Sequence, residues 1–346
     1  MSPLGQLPLR KLGKSGPEIP IPGLGLMGLS VAYAERRPDE ERLSVLDRAW
    51  ELGCVNWDTS DLYGDSEALL GKWFKLHPER RDDIFLATKF GLKYAAGNPG
   101  LVADSSPEYC RTCCEKSLQR LGVDVIDLYY IHRVDGKTPI EKTMSALIDL
   151  QREGKIKYIG ISSASSDTIR RACALQHVDA VQVEYSPWTL DIEEEEGTHL
   201  LRTCRELGIA VFAYSPLGRG MLTGQIKSPD DFEPNDLRRF LPRFSKENFP
   251  KNLELVEKFK AFAAKKGCTP GQLAIAWVMA QGQDFFPIPG TKNTKYLEEN
   301  VGASLVTLSE KDEREIRTWV NESGVAGLKV PPGMITDFGD TPSLSG

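Results

Sequence analysis

Short apolar runs, each closed by a polar side chain, recur along this chain and alternate with stretches patterned at helical period. The runs predict strands at 21–26, 54–58, 84–89, 125–132, 156–162, 180–185, 209–215 and 285–288. Helices are predicted from near Pro38 and near 66–76, 107–121, 139–153, 166–176, 193–207, 252–265 and 294–302. Helix 107–121 shows the boundary logic: Ser106 suits the N-cap, Pro107 the first helical position, and Gly122 lies just past the end. Two more helical stretches, 270–281 and 309–321, have no strand of their own. Eight strand–helix units in 346 residues predict an α/β fold. A single (β/α)8 TIM barrel domain over 1–346 fits that length better than an open doubly wound sheet, with a Gly/Pro-rich hairpin over 8–20 in front.

Two segments fall outside the repeat. The connection from Pro216 to Lys251, after the seventh strand, is far longer than the usual βα loop of about 2–6 residues and is predicted to fold over the barrel mouth. The tail 322–346 carries Gly324, Gly327, Pro331, Pro332 and Gly333 ahead of apolar Met334, Ile335 and Phe338, and reads either as a flap over a pocket or as a loose end.

Composition narrows the class. A formal net charge of -6 with no basic stripe argues against a nucleic-acid partner. No stretch reaches the ~18 uninterrupted apolar residues of a membrane span, and the start lacks the apolar core of a secretory signal, so a cytoplasmic protein is expected. Seven cysteines point to reduced thiols rather than a disulfide framework.

Several motifs lead nowhere. Gly23-Leu24-Gly25-Leu26-Met27-Gly28 has dinucleotide-fingerprint spacing, but Leu29–Arg37 offers no clear amphipathic helix before Pro38. Its glycines read as a tight strand-to-loop turn. Gly13-Lys14-Ser15 lacks the first glycine of a phosphate loop. The four histidines are scattered, and Cys110, Cys113 and Cys114 share one helix with no second ligand pair at zinc spacing, so no metal is expected. Glu193 to Glu196 read as a solvated acidic helix start.

The strand ends carry the chemistry. Asp58, Lys89 and His132 each close a different strand, and Tyr63 follows Asp58 in the next loop. In a parallel α/β barrel those ends share one rim. Alone, a strand-end His is ordinarily a hydrogen-bonded structural residue; together the four form a proton relay. A tyrosine phenol with a pKa near ~10 exchanges protons poorly at neutral pH unless a cation stabilises the phenolate. Lys89 supplies that cation, Asp58 orients it, and His132 donates to a carbonyl oxygen. No Ser–His or Cys–His nucleophile is evident, so a hydride donor completes the reaction, and Tyr214, at the end of strand 209–215, offers an aromatic face for a nicotinamide.

Over nearly its full length the chain resembles the aldo-keto reductase superfamily. The resemblance rests on Asp58-Thr59-Ser60-Asp61-Leu62-Tyr63-Gly64, Ala87-Thr88-Lys89-Phe90, Asp127 to Arg133, Gly154 to Ser162, Val181 to Ser186, Ala213 to Gly220 and Pro287 to Lys292. It looks most like the branch that includes perakine reductase and auxin-induced-type proteins. The resemblance implies NADPH-dependent reduction of aldehydes or ketones, with Asp58, Tyr63, Lys89 and His132 as the catalytic tetrad and Tyr63 as the proton donor. It implies that Ser162, Ser163 and Gln182 hold the nicotinamide carboxamide and that Tyr214 stacks on the ring. Ser215, Leu217 and Arg219 would lie along the pyrophosphate. Gly290, Thr291, Lys292 and Lys295 would receive the 2′-phosphate, with Glu299 and Asn300 near the adenine. Two departures from the family pattern are Ser163, where relatives usually carry Asn or Glu, and Tyr296, in place of a longer polar or basic side chain.

The substrate would be a small carbonyl compound. Met27, Leu29, Tyr130, Trp188, Met221 and the tail are the expected pocket walls, their apolar character favouring an aromatic or aliphatic carbonyl. Two other readings stay open here: an aldolase-like Schiff base on Lys89, and a cofactor-loaded regulatory subunit with little turnover.

Overall fold

The computed structural model describes residues 7–33, 35–95, 100–331 and 337–344. At the front, β1 (Leu9–Lys11) and β2 (Glu18–Pro20) form an antiparallel hairpin with Arg10 opposite Ile19. Eight parallel strands follow around the barrel in chain order: β3 (Leu24–Gly25), β4 (Asn56–Asp58), β5 (Phe85–Phe90), then, after the excursion β6 (Leu92–Tyr94) and β7 (Leu101–Ala103), β8 (Ile126–Ile131), β9 (Ile156–Ser162), β10 (Ala180–Glu184), β11 (Ala210–Tyr214) and β12 (Phe285–Pro287). The last strand meets the first: Gly23 N–H donates to Pro287 O at 2.9 Å, Gly25 N–H donates to Pro289 O at 3.1 Å, and Gly25 bridges to Gly290. The (β/α)8 barrel is thereby closed. The seam needs glycine, because a Cβ on Gly25 would lie 2.8 Å from Ile288 O and one on Gly290 would lie 2.9 Å from Gly25 O.

Period-two alternation sorts each strand into two faces. Phe85 and Ala87, Leu128 and Tyr130, Ala180, Ala210 and Phe212, and Phe286 and Ile288 pack together inside the barrel with Leu12, Ile19 and Ile21 from and around the hairpin, which closes the floor. The intervening residues, such as Leu86, Tyr129, Ile161, Val181 and Val211, belong to the larger core beneath the outer helices. Gly160 has no side chain because the Tyr130 ring fills its place; a Cβ there would come within 2.3 Å of Tyr130 Cδ1.

The predicted helices at 66–76, 107–121 and 294–302 form over those residues. Ser106 caps the second through Tyr109 N–H, and Gly122 ends it in the left-handed region at φ 65°. Four expectations change. The first strand is only Leu24–Gly25, because Ile21 donates its N–H to Pro8 in the hairpin and Pro22 has none to give. The helix expected over 193–207 begins at Leu200, and Thr198 and His199 ahead of it have left-handed backbones. Glu193 to Glu196 are therefore not a helix start; Glu193 ion-pairs with Arg317 at 3.0 Å. The helix expected at 252–265 runs Phe249–Lys266. Finally, the antiparallel pair β6–β7 stands where a plain connection was expected.

The long connection does cover the mouth. It passes through short turns at Met221–Thr223, Leu237–Phe240 and Pro242–Phe244 before its helix begins. Leu237 N–H donates to Ala32 O at 3.1 Å across the rim, and the Arg238 guanidinium lies 5.1 Å from the Tyr33 ring centre. Among the described residues, no helix is long and apolar enough to cross a membrane.

Candidate active site

The inward positions that are apolar low in the barrel become polar at its upper end. Phe85 and Ala87 give way to Lys89, Leu128 and Tyr130 to His132, Ala180 to Gln182 and Phe212 to Tyr214, while on the second barrel strand Asn56 is already polar below Asp58. The pleat thus delivers these five side chains to one rim. There Asp58, His132, Gln182 and Tyr214, with Lys89 buried behind Asp58, border a cavity of about 650 Å³ that runs under the long connection, within the usual size of a small-molecule site of about 300–1,000 Å³.

Lys89 is fully buried and donates to Asp58 Oδ1 at 2.5 Å and to the Thr59 carbonyl at 2.7 Å. The other Asp58 oxygen accepts from the Gln182 amide at 2.7 Å. The loop after β4 turns back on itself through Tyr63 N–H to Ser60 O at 3.1 Å. That turn sets the Tyr63 ring centre 5.0 Å from Lys89 Nζ and 5.8 Å from the His132 ring, edge to face. His132 Nδ1 lies 3.2 Å from the Ser60 hydroxyl, which leaves Nε2 as its second hydrogen-bonding atom. All four members of the expected tetrad come together.

Their electrostatics differ in one respect from the sequence argument. Burial alone would lower the Lys89 pKa, but Asp58 and Tyr63 raise it by more, so the side chain stays an ammonium. That runs against a Schiff base, which requires the free amine. Burial dominates at Tyr63 and raises its pKa; Lys89 offsets this only in part. The phenol is held as a proton donor rather than as a phenolate. At His132, burial and then the nearby Lys89 and Arg133 push the pKa well below the ordinary value, so the ring is neutral.

Along the rest of the cavity, Ser162, Ser215, Leu217, Arg219, Gly290, Thr291, Lys292, Glu299, Asn300 and Met27 all contribute to the walls, as does the Tyr214 ring. Arg219 is paired with Glu184 at 2.9 Å. Glu299 accepts from the Thr269 hydroxyl at 2.7 Å. Tyr296 also borders the cavity, and its hydroxyl donates to Gln225 Oε1 at 3.0 Å, joining helix 294–302 to the long connection.

Other expected residues lie elsewhere. Ser163 is buried away from the cavity, its carbonyl accepting from Gly339 N–H at 3.2 Å. Lys295 is exposed on the outer side of its helix. Trp188 packs edge-to-face on Phe244 at 5.5 Å, and Met221 is fully buried within the long connection, so neither forms the pocket wall expected of it. Leu29 and Tyr130 are likewise packed in the core. Met334 and Ile335 lie outside the described residues.

In their place the structure supplies residues the sequence reading passed over. Leu92 and Leu101 of the β6–β7 pair and Val330 of the tail form apolar wall near the tetrad, and Arg133 adds a cation there. At the far end, Arg37 and Arg238 join Lys292. Lys292 Nζ donates to Tyr33 O at 2.5 Å, and the Arg37 guanidinium donates to Lys292 O at 3.2 Å. Burial, and next the Arg37 charge, lower the Lys292 pKa. Arg133 was legible as the neighbour of His132, whereas Arg37 lay in a stretch without periodicity.

Comparisons with known proteins agree with this geometry. The aldo/keto reductase family model matches residues 23–321. Aldo-keto reductase str7 of Strobilurus tenacellus is 51% identical over 93% of this chain and 94% of its own length. Aldo-keto reductase yakc [NADP(+)] of Schizosaccharomyces pombe is 49% identical over 98% and 99%, and probable aldo-keto reductase 1 of Glycine max is 47% identical over 94% and 92%. Among solved structures, the glycerol dehydrogenase of Gluconobacter oxydans superposes with a TM-score of 0.81 at 25% identity, covering 95% of this chain and 99% of its own. A thermostable aldo-keto reductase bound to the inhibitor epalrestat gives 0.71 at 27%, covering 90% and 99%. A barrel closed by its first and last strands, with this tetrad at its rim, places the chain in the aldo/keto reductase family.

Proposed function

We propose that this chain reduces small aldehydes or ketones to alcohols with NADPH, Tyr63 giving the proton. The observation that carries the reading is the convergence of Tyr63, Lys89, Asp58 and His132 at the end of one cavity whose other end holds crowded cations.

The cavity fits such a cofactor. Lys292 is partly buried beside Arg37, and its pKa is depressed first by that burial and next by the Arg37 charge, while Arg238 is already paired with Asp236 at 2.6 Å; an anion such as a 2′-phosphate at Lys292 and Arg37 relieves that state. Tyr214 provides a ring face beside the tetrad, and Ser162 and Gln182 provide polar atoms next to it. When bound, the reduced nicotinamide supplies a hydride to the carbonyl carbon. His132, neutral and with Nδ1 engaged by Ser60, offers Nε2–H to the carbonyl oxygen. Tyr63 passes its phenolic proton to that oxygen as negative charge develops. Lys89, kept charged by Asp58, stabilises the phenolate left behind. Gln182 braces Asp58 from the opposite side.

We read the whole chain as one domain, with its tail docked beside the pocket, and as a cytoplasmic enzyme; the seven free cysteines support the latter. The plant and fungal relatives support placing it near the perakine reductase and auxin-induced-type branch. The test is loss of NADPH absorbance with a panel of aldehydes and ketones, repeated with NADH. Turnover preferring NADPH is the expected result, and tight NADPH binding with no oxidation by any carbonyl would refute the reductase reading in favour of a regulatory subunit.

A further inference from the structure

Among the described residues that line the cavity, Arg133 is the cation whose charge acts on both Tyr63 and His132. Its Nη1 donates to Ser162 Oγ at 3.1 Å and to the His132 carbonyl at 2.7 Å. An arginine at that place would ordinarily invite a substrate carboxylate, because its planar fork matches that group. Here a carboxylate from the protein has taken the position: Asp337, in the tail, accepts from Arg133 Nη2 at 3.1 Å. Side-chain exposure is 15% for Arg133 and 18% for Asp337, so the pair is largely withdrawn from solvent.

Asp337 is held from two sides. Its other oxygen accepts from Lys329 at 3.0 Å, and Lys329 in turn pairs with Asp191 at 2.5 Å. Val330, next to Lys329, borders the cavity, so the tail crosses its edge at this point. Burial would raise the Asp337 pKa, but Arg133 and Lys329 more than offset that and keep it ionised. The tail does not depend on Asp337 for its docking. Gly339 exchanges backbone hydrogen bonds with Ser163 and Ser165 at 3.2 and 3.1 Å, Asp340 accepts from the Ser165 hydroxyl, and Arg171 donates to the carbonyls of Thr341 and Pro342 at 2.8 and 2.7 Å.

We infer that Asp337 is a specificity-determining residue: by occupying Arg133 it excludes carbonyl substrates that carry a carboxylate and reserves the pocket for neutral ones. A second carboxylate brought to Arg133 would meet Asp337 as a like charge in a poorly solvated place, which is how a site rejects a competitor without contacting its preferred substrate. The inference rests on the reductase reading above.

The experiment compares kcat/KM with NADPH for the ortho, meta and para carboxybenzaldehydes against their methyl esters. The unmodified chain should favour the ester by at least ~10-fold for the isomer that reaches Arg133, the scale of like-charge juxtaposition. Asp337→Asn should keep ester turnover and narrow that ratio by about tenfold or more, since a buried arginine is left seeking a partner. Arg133→Met combined with Asp337→Asn should abolish the gain. Ester turnover with the acid-to-ester ratio unmoved in Asp337→Asn overturns the inference alone, as does equal use of acids and esters by the unmodified chain, a measurement that needs no variant. Failure of the unmodified chain to reduce any of these aldehydes overturns the reductase reading and this inference with it.

Discussion

Two lysines border the same active-site region and are shifted in opposite directions. Lys89, at the tetrad, is raised above its ordinary pKa despite complete burial, because the Asp58 carboxylate 2.5 Å away comes from the protein itself. Lys292, at the far end, is lowered, first by burial and next by the Arg37 charge, against which Asp236 offsets only part. The difference separates two uses of charge. At the reacting end the field is built before any ligand arrives and needs no rearrangement during the reaction. At the other end a partly buried lysine beside Arg37 is left without a full counter-charge, and an anionic ligand gains affinity by supplying it.

Breaking the preorganised end should give the largest effect. Tyr63→Phe is expected to cut the rate by about 10²–10⁴-fold, the loss of a general acid, with nucleotide affinity retained; near-normal turnover would show that the proton comes from elsewhere. Lys89→Met leaves Asp58 buried with only Gln182, and about 3–5 kcal/mol of stability should go with it. Denaturant unfolding checks this, and a variant as stable as the parent would mean the pair is not buried as described.

The far end should respond more gently and more selectively. Lys292→Met should weaken NADPH binding by about 10–100-fold, the worth of one or two bonds to a charged group, while leaving NADH binding nearly unchanged. Equal losses for both nucleotides in a titration would move the phosphate elsewhere. Tyr296→Phe removes only the bond to Gln225 and should speed nucleotide release by a few fold, matching about 0.5–1.5 kcal/mol. Stopped-flow dissociation measures it.

The smallest expected effect is one of pH. His132 is depressed well below 6.5, so reduction should show no inflection near that value. The Tyr63 phenol donates only when protonated and its pKa is raised above 10, so reductive activity is present below that value and lost as pH rises through it. A pH profile of the chemical step with an inflection near neutrality would assign the acid to another group.

How much of this was legible follows from where each residue stands. Asp58, Lys89 and His132 could be placed because each closes an apolar strand, and a polar residue in register with buried inner neighbours must face the mouth; Gln182 came only with the family resemblance. Ser106, Pro107 and Gly122 fixed a helix for equally local reasons. Trp188 and Met221 were misplaced because they lie in loops, where no period says which way a side chain turns. Lys295 came with Lys292 from the family resemblance, yet its helix leaves it exposed, while Arg37 arrives from the other side of the barrel seam.

The sequence alone therefore determined the order of strands and helices, the apolar face of each strand and the chemistry waiting at its end, since these depend on neighbours within a few residues. Tertiary structure decided the rest: that Gly25 meets Gly290, that the long connection reaches Ala32, and that Asp337 meets Arg133 across 204 positions. Such meetings are set by closure of the barrel and the paths of its loops, and a charge pair formed that way leaves no periodic trace in either partner's surroundings.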